Sequence, residues 1–140
     1  MRITDQKGVA IVEFALVLPV LVILVFGMIE FGLLLYNQQV ITNASREGAR
    51  AGIVAPDASG QRRSLADITS VVESYCNSRL INLGDGGTSP NTTTVPASPT
   101  TATFGTDLIV TVTYDWDFLV LQNLGFSPFT MTSRTVMKYE

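Results

Sequence analysis

The sequence predicts an α+β protein: a long N-terminal transmembrane helix that continues into a small extracytoplasmic head with one further helix and a short antiparallel β-sheet. Three observations predict it. A long apolar run fills residues 8–36, a stripe at three-and-four spacing follows Ser64, and two alternating segments lie near the C-terminus. The chain is 46% hydrophobic and 15% charged, whereas an ordinary soluble domain carries about 25% charged residues. The excess is concentrated at the N-terminal end.

The run from Gly8 to Tyr36 reads GVAIVEFALVLPVLVILVFGMIEFGLLLY. As a helix it spans about 43 Å, and a bilayer core needs only about 20 residues. Phe14 to Ile29 contains no charge. A head this small cannot cover such a segment on every face. A cleavable secretory signal is disfavoured, because the apolar region is too long and no A-x-A site follows closely. A retained anchor over residues 9–36 is therefore expected. Arg2, Lys7 and the terminal amine sit on the short side, with Arg46 and Arg50 farther out on the other. By the positive-inside rule the N-terminus is cytoplasmic.

Glu13 and Glu30 interrupt the apolar run. An ionised acid in lipid costs a few kcal/mol. Seventeen steps put the two about 25 Å apart and about 100° around the axis. They form no common site, so each is expected to need its own partner, supplied by another chain. Pro19 lacks an N–H, and a kink or local melting is expected beside it.

From Asn37 to Val54 the same helix is expected to continue. Ala44, Gly48 and Gly52 recur every four residues and make a groove of small side chains. Either a neighbouring subunit or the chain's own sheet can fill it. Arg46 and Arg50 read as a solvated edge. The break at residues 55–60 is followed by a second helix over Ser64–Leu83, opened by a Ser64/Asp67 capping box. Leu65, Ile68, Val72, Tyr75, Cys76, Leu80 and Leu83 form its stripe, with Cys76 as a buried small hydrophobe. Fifteen of the twenty residues in 84–103 are Gly, Thr, Ser or Pro, and a flexible surface loop is expected there. Asp107–Trp116 and Phe129–Tyr139 alternate as strands, with a short helix or turn over Phe118–Leu124 ending at Gly125.

Nine Lys and Arg against twelve Asp and Glu give −3 with no basic stripe, which removes support for nucleic-acid binding. Histidine is absent and cysteine occurs once, so His-based catalysis and multi-Cys metal sites have no residues to build on. No phosphate-binding loop, dinucleotide fingerprint or nucleophile elbow is present. Asp115 and Asp117 read as a turn with solvated acids. No enzymatic activity, small-molecule substrate, cofactor or metal is expected.

Gly8-Val9-Ala10-Ile11-Val12-Glu13-Phe14 resembles the G-x-x-x-x-E-F/Y processing site of type IV prepilins, preceded by a short polar leader. Phe26-Gly27-Met28-Ile29-Glu30-Phe31-Gly32, Tyr36-Asn37-Gln38 and Asn43 to Gly52 are similar to the TadE-like family, minor pilins or pseudopilins of the tight-adherence (Flp/Tad) pilus. The resemblance implies a pilin-like plan: leader 1–8, transmembrane helix 9–36, and stalk and head 37–140. It implies cleavage by a prepilin peptidase after Gly8, with Val9 as the new N-terminus and Glu13 at the fifth mature position, meeting a neighbouring subunit's amine. Partners would be membrane lipid, other pilins and Tad assembly proteins, at the bacterial inner membrane. Assembly contacts would involve Glu13, Pro19, Gly27, Glu30, Ala44, Gly48 and Gly52. Major pilins often carry Pro at mature position 22. Here that position is Glu30, and the helix Pro is Pro19. The alternative expectation is a permanently anchored single-pass binding module or adaptor on the extracytoplasmic side.

Overall fold

A computed structural model describes residues 4–54, 61–82 and 89–139 of the chain. Helix α1, Thr4–Ile53, is followed by α2, Leu65–Asn77, and by strands β1 (Asn91–Val95), β2 (Asp107–Trp116) and β3 (Phe129–Lys138). The strands form one antiparallel sheet in the order β1-β2-β3. The architecture is α+β, and among the described residues one helix is long and apolar enough to cross a membrane.

Helix α1 is continuous through Pro19, so no melting occurs there. Its two halves have opposite environments. From Gly8 to Ile29 every residue is exposed except half-exposed Gly27. From Glu30 onward one face is covered: Glu30, Leu34, Asn37, Ile41, Ala44 and Gly48 are all buried. Their spacing of four and three residues is one side of a helix. The head packs on that side, with α2 and the sheet both contacting α1.

The second helix starts as its capping box requires. The Asp67 N–H donates to Ser64 Oγ at 3.2 Å, and the Ser64 N–H donates to Asp67 Oδ2 at 2.9 Å. It ends earlier than expected, at Asn77 rather than Leu83. Two amides, of Arg79 and Leu80, converge on the Cys76 carbonyl at 2.9 and 2.8 Å. Asn37 then takes both backbone groups of Ile81, donating to its carbonyl at 2.7 Å and accepting from its N–H at 3.1 Å. With its backbone committed to a side chain, Ile81 cannot extend the helix. Leu83 lies outside the described residues.

The expectation of a loop over 84–103 is corrected in part. Asn91–Val95 is a strand, paired from Asn91↔Thr113 to Val95↔Ile109. Ladder pairing, which apolar composition does not register, orders the segment. Threonine is β-branched and suits a strand, and β2 offers an unpaired edge. Thr92 and Thr94 are buried while their neighbours face out. Pro90 and Pro96 bracket the segment, as suits an edge strand. Residues 84–88 lie outside the described residues.

β2 alternates as expected: Leu108, Val110, Val112, Tyr114 and Trp116 are buried. With Ile68, Val72 and Cys76 of α2, Met131 of β3 and Tyr139, they close the core over α1. Among the described residues the turn over Leu121–Leu124 is 3-10 helix and stops at Gly125, whose φ of 91° is left-handed and suits glycine.

Candidate functional site

The sequence-predicted site residues fall, among the described residues, on the bare apolar rod and on the seam where the head meets it. The rod runs from Gly8 to Ile29, roughly 33 Å at the helical rise, against about 30 Å of bilayer hydrocarbon. Its residues are widely exposed, as at Leu16 (72%) and Met28 (67%). Gly8, Val9, Glu13 and Phe14 are exposed on the helix, as is Pro19. The first three residues of the leader lie outside the described residues. A Cβ added at Gly8, Gly27 or Gly32 would meet nothing within 4 Å. These three glycines therefore leave open space on the isolated chain.

The seam begins at Glu30, and here an expectation is corrected. Glu30 finds its partner in its own chain. Its carboxylate accepts from the Val120 N–H at 2.5 Å and from the Leu121 N–H at 3.4 Å, and the residue is 1% exposed. Both amides open the 3-10 turn Leu121–Leu124, whose first N–H groups have no partner inside the turn. The acid thus satisfies orphan donors of a distant loop. Spacing along α1 could not show this, because the partner lies ninety residues away.

The small-residue groove is also filled from within. A Cβ at Gly48 would lie 2.7 Å from Val72 Cγ2, and one at Gly52 would lie 2.5 Å from Leu108 Cδ2 and 2.8 Å from Ile68 Cδ1. Ala44 is fully buried. Of the two occupants left open by the sequence, the chain's own sheet is present, through Leu108 and Val110 of β2, and Ile68 and Val72 of α2 share the groove with it; on this chain Ala44, Gly48 and Gly52 are already covered. Arg46, Glu47 and Arg50 are exposed on the other side.

Two polar residues in this stretch escaped sequence reasoning. Asn37 is fully buried and clamps Ile81. Ser45, also fully buried, bonds the hydroxyls of Ser133 at 3.0 Å and Thr135 at 2.8 Å and donates to the Thr42 carbonyl at 2.9 Å. The signal was present: both fall on the same spacing as Leu34, Ile41 and Gly48. A buried polar group needs a partner, and these two spend theirs fixing β3 and the segment after α2 onto the helix.

Three ionisable groups of the head have packing or hydrogen-bonding roles among the described residues. Cys76 is buried, and desolvation pushes its thiol up to about 11. The hydroxyl of Ser64 and its backbone N–H hold the Asp67 carboxyl below the ordinary value. Asp115 accepts from the Thr130 hydroxyl at 2.6 Å, across a directly opposed pair of the β2–β3 ladder.

Residues 8–50 match the family model described as TadE-like protein. The matched segment takes in the bare rod and most of the head-facing stripe. No curated protein and no solved structure matches the chain.

Proposed function

We propose that the chain is a membrane-anchored minor pilin, or pseudopilin, of a Tad-type pilus. The observation that carries this reading is the TadE-like match over residues 8–50, which coincides with a bare, bilayer-length rod joined to a covered stripe. In this reading a prepilin peptidase removes the leader after Gly8 and exposes the amine of Val9. The short side is cytoplasmic, and the head lies outside the inner membrane.

Glu13 then has one task. An acid and a terminal amine are both costly in hydrocarbon, and they offset each other when one subunit's Glu13 meets a neighbour's Val9 amine. The pair sets the axial register of adjacent rods more than it adds net stability. Lateral packing falls to the rod and to the outer face of α1, since the groove is already filled. Glu30 belongs to the head. A pairing scheme that gives both acids intersubunit partners does not fit its burial.

N-terminal sequencing and intact mass of the protein from membrane and sheared-filament fractions test the reading. The expected product starts at Val9. A native chain that retains Met1 to Lys7 overturns it. Glu13→Ala is expected to insert normally in the membrane and to fail in pilus assembly. Intact pili in that variant argue for the permanently anchored module instead.

A further inference from the structure

The loop joining β2 to β3 stands out by composition and position. From Phe118 to Ser133 the chain carries no charged residue. Leu119, Leu124, Phe126 and Phe129 are exposed at 46%, 52%, 56% and 50%. A soluble head does not ordinarily gather four large apolar side chains on one short connection. The loop is also well organised. Phe118 and Phe126 pack edge to face at 6.4 Å, and the amides of Gly125 and Phe126 bond back to the Gln122 and Leu121 carbonyls at 3.0 and 3.2 Å.

Its height along the rod is fixed. The Glu30 carboxylate holds the amides of Val120 and Leu121, and Glu30 is the residue directly after the bare stretch that ends at Ile29. Further contacts order the head away from this point. Gln38 reaches the Thr132 carbonyl, Ser45 meets Ser133 and Thr135, and Gly52 faces Leu108. The loop is thus at the rod-proximal end of the sheet. At the same level α1 turns Phe31, Leu35 and Tyr36 outward, all exposed.

We propose that this loop is a second membrane contact. Leu119, Leu124, Phe126 and Phe129 sit in the headgroup–acyl boundary of the bilayer that α1 crosses, and hold the head against the membrane surface. The proposal rests on reading α1 as a membrane span. Lipid is the favoured occupant, because the apolar residues cluster where the bare rod ends. Side chains of this kind bury about 5–10 Å into that boundary. Glu30 shares this depth without facing lipid, since the loop covers it.

The test uses the full chain carrying Cys76→Ala with an environment-sensitive NBD dye on single cysteines at Phe126→Cys, Leu21→Cys and Thr100→Cys. The proteins are reconstituted in phosphatidylcholine–phosphatidylglycerol vesicles containing lipids spin-labelled near the headgroup or deep in the chain. The dye at position 126 is expected to be blue-shifted and quenched roughly twofold more by the shallow label than by the deep one, as a boundary position requires. The dye at position 21 should show the reverse order, and the dye at position 100 should be quenched by aqueous iodide alone. If the dye at 126 behaves like that at 100 while the dye at 21 stays in lipid, the proposal fails and the membrane span stands. If the dye at 21 is also in water, the span fails and the proposal with it. A blue shift at 126 that disappears as protein is diluted into excess lipid assigns the loop to a second copy, and also overturns the proposal.

Discussion

Gly52 and Gly32 lie on one helix in opposite surroundings, and adding the same methyl group to each separates packing from backbone preference. At Gly52 the new Cβ would sit 2.5 Å from Leu108 Cδ2 and 2.8 Å from Ile68 Cδ1. Both neighbours are fully buried, so neither has free space to retreat into. Overpacking of this kind costs about 1–3 kcal/mol. At Gly32 nothing lies within 4 Å. Whatever helix preference alanine adds, up to about 1 kcal/mol, applies to both variants and cancels in their difference. Gly52→Ala should therefore fall below Gly32→Ala by about 1–3 kcal/mol. For a head of this size each kcal/mol shifts the midpoint by about 4–8 °C. The assay is thermal unfolding of the full chain in detergent, read by the emission of Trp116, the single tryptophan, which is 1% exposed. Equal midpoints for the two variants would refute the account of the groove. A Gly52→Ala protein with an unchanged midpoint that no longer assembles pili would return the groove to a subunit contact.

Three further outcomes are expected. Glu30→Leu should destabilise the head by about 1–3 kcal/mol, because two part-buried amides lose their acceptor; hydrogen exchange at Val120 and Leu121 should accelerate, and unchanged protection there would sink the assignment. Ser64→Ala removes the hydroxyl that accepts the Asp67 N–H and should cost about 1 kcal/mol, seen as a lower unfolding midpoint. Cys76 is raised from 9.0 to about 11 by burial, and burial likewise raises Tyr114 and Tyr139. A raised folded value means the unfolded chain sheds its proton first, so stability is full below about pH 9 and falls as pH climbs towards 11. A midpoint that is flat across that window contradicts the burial of these groups. The same thiol should stay unreactive to an aqueous disulfide reagent at pH 8 until the head is unfolded.

Much of the architecture was legible because it rests on local pattern. The rod follows from an apolar run with no charge between Phe14 and Ile29. β2 has the bounds that its alternation marked, and the capping box at Ser64 stands where its spacing put it. Elements failed where a distant partner decided them. Asn37 holds the Ile81 backbone outside the helix that the stripe had extended to Leu83. The free edge of β2 turned a Thr-rich segment into β1. Neither effect has a signal within the segment it changes.

The candidate site divides in the same way. Sequence alone determined the bare rod, the placement of Gly8 and Glu13 at its start, and the small-residue face at Ala44, Gly48 and Gly52, because periodicity and composition are properties of neighbours on one helix. Tertiary structure alone decided who uses that face and who answers Glu30. Val72, Ile68 and Leu108 fill the first, and the amides of Val120 and Leu121 meet the second. Both are contacts between segments far apart in the chain. A helix pattern reports which side is to be covered, and only the folded path of the rest of the chain supplies the cover.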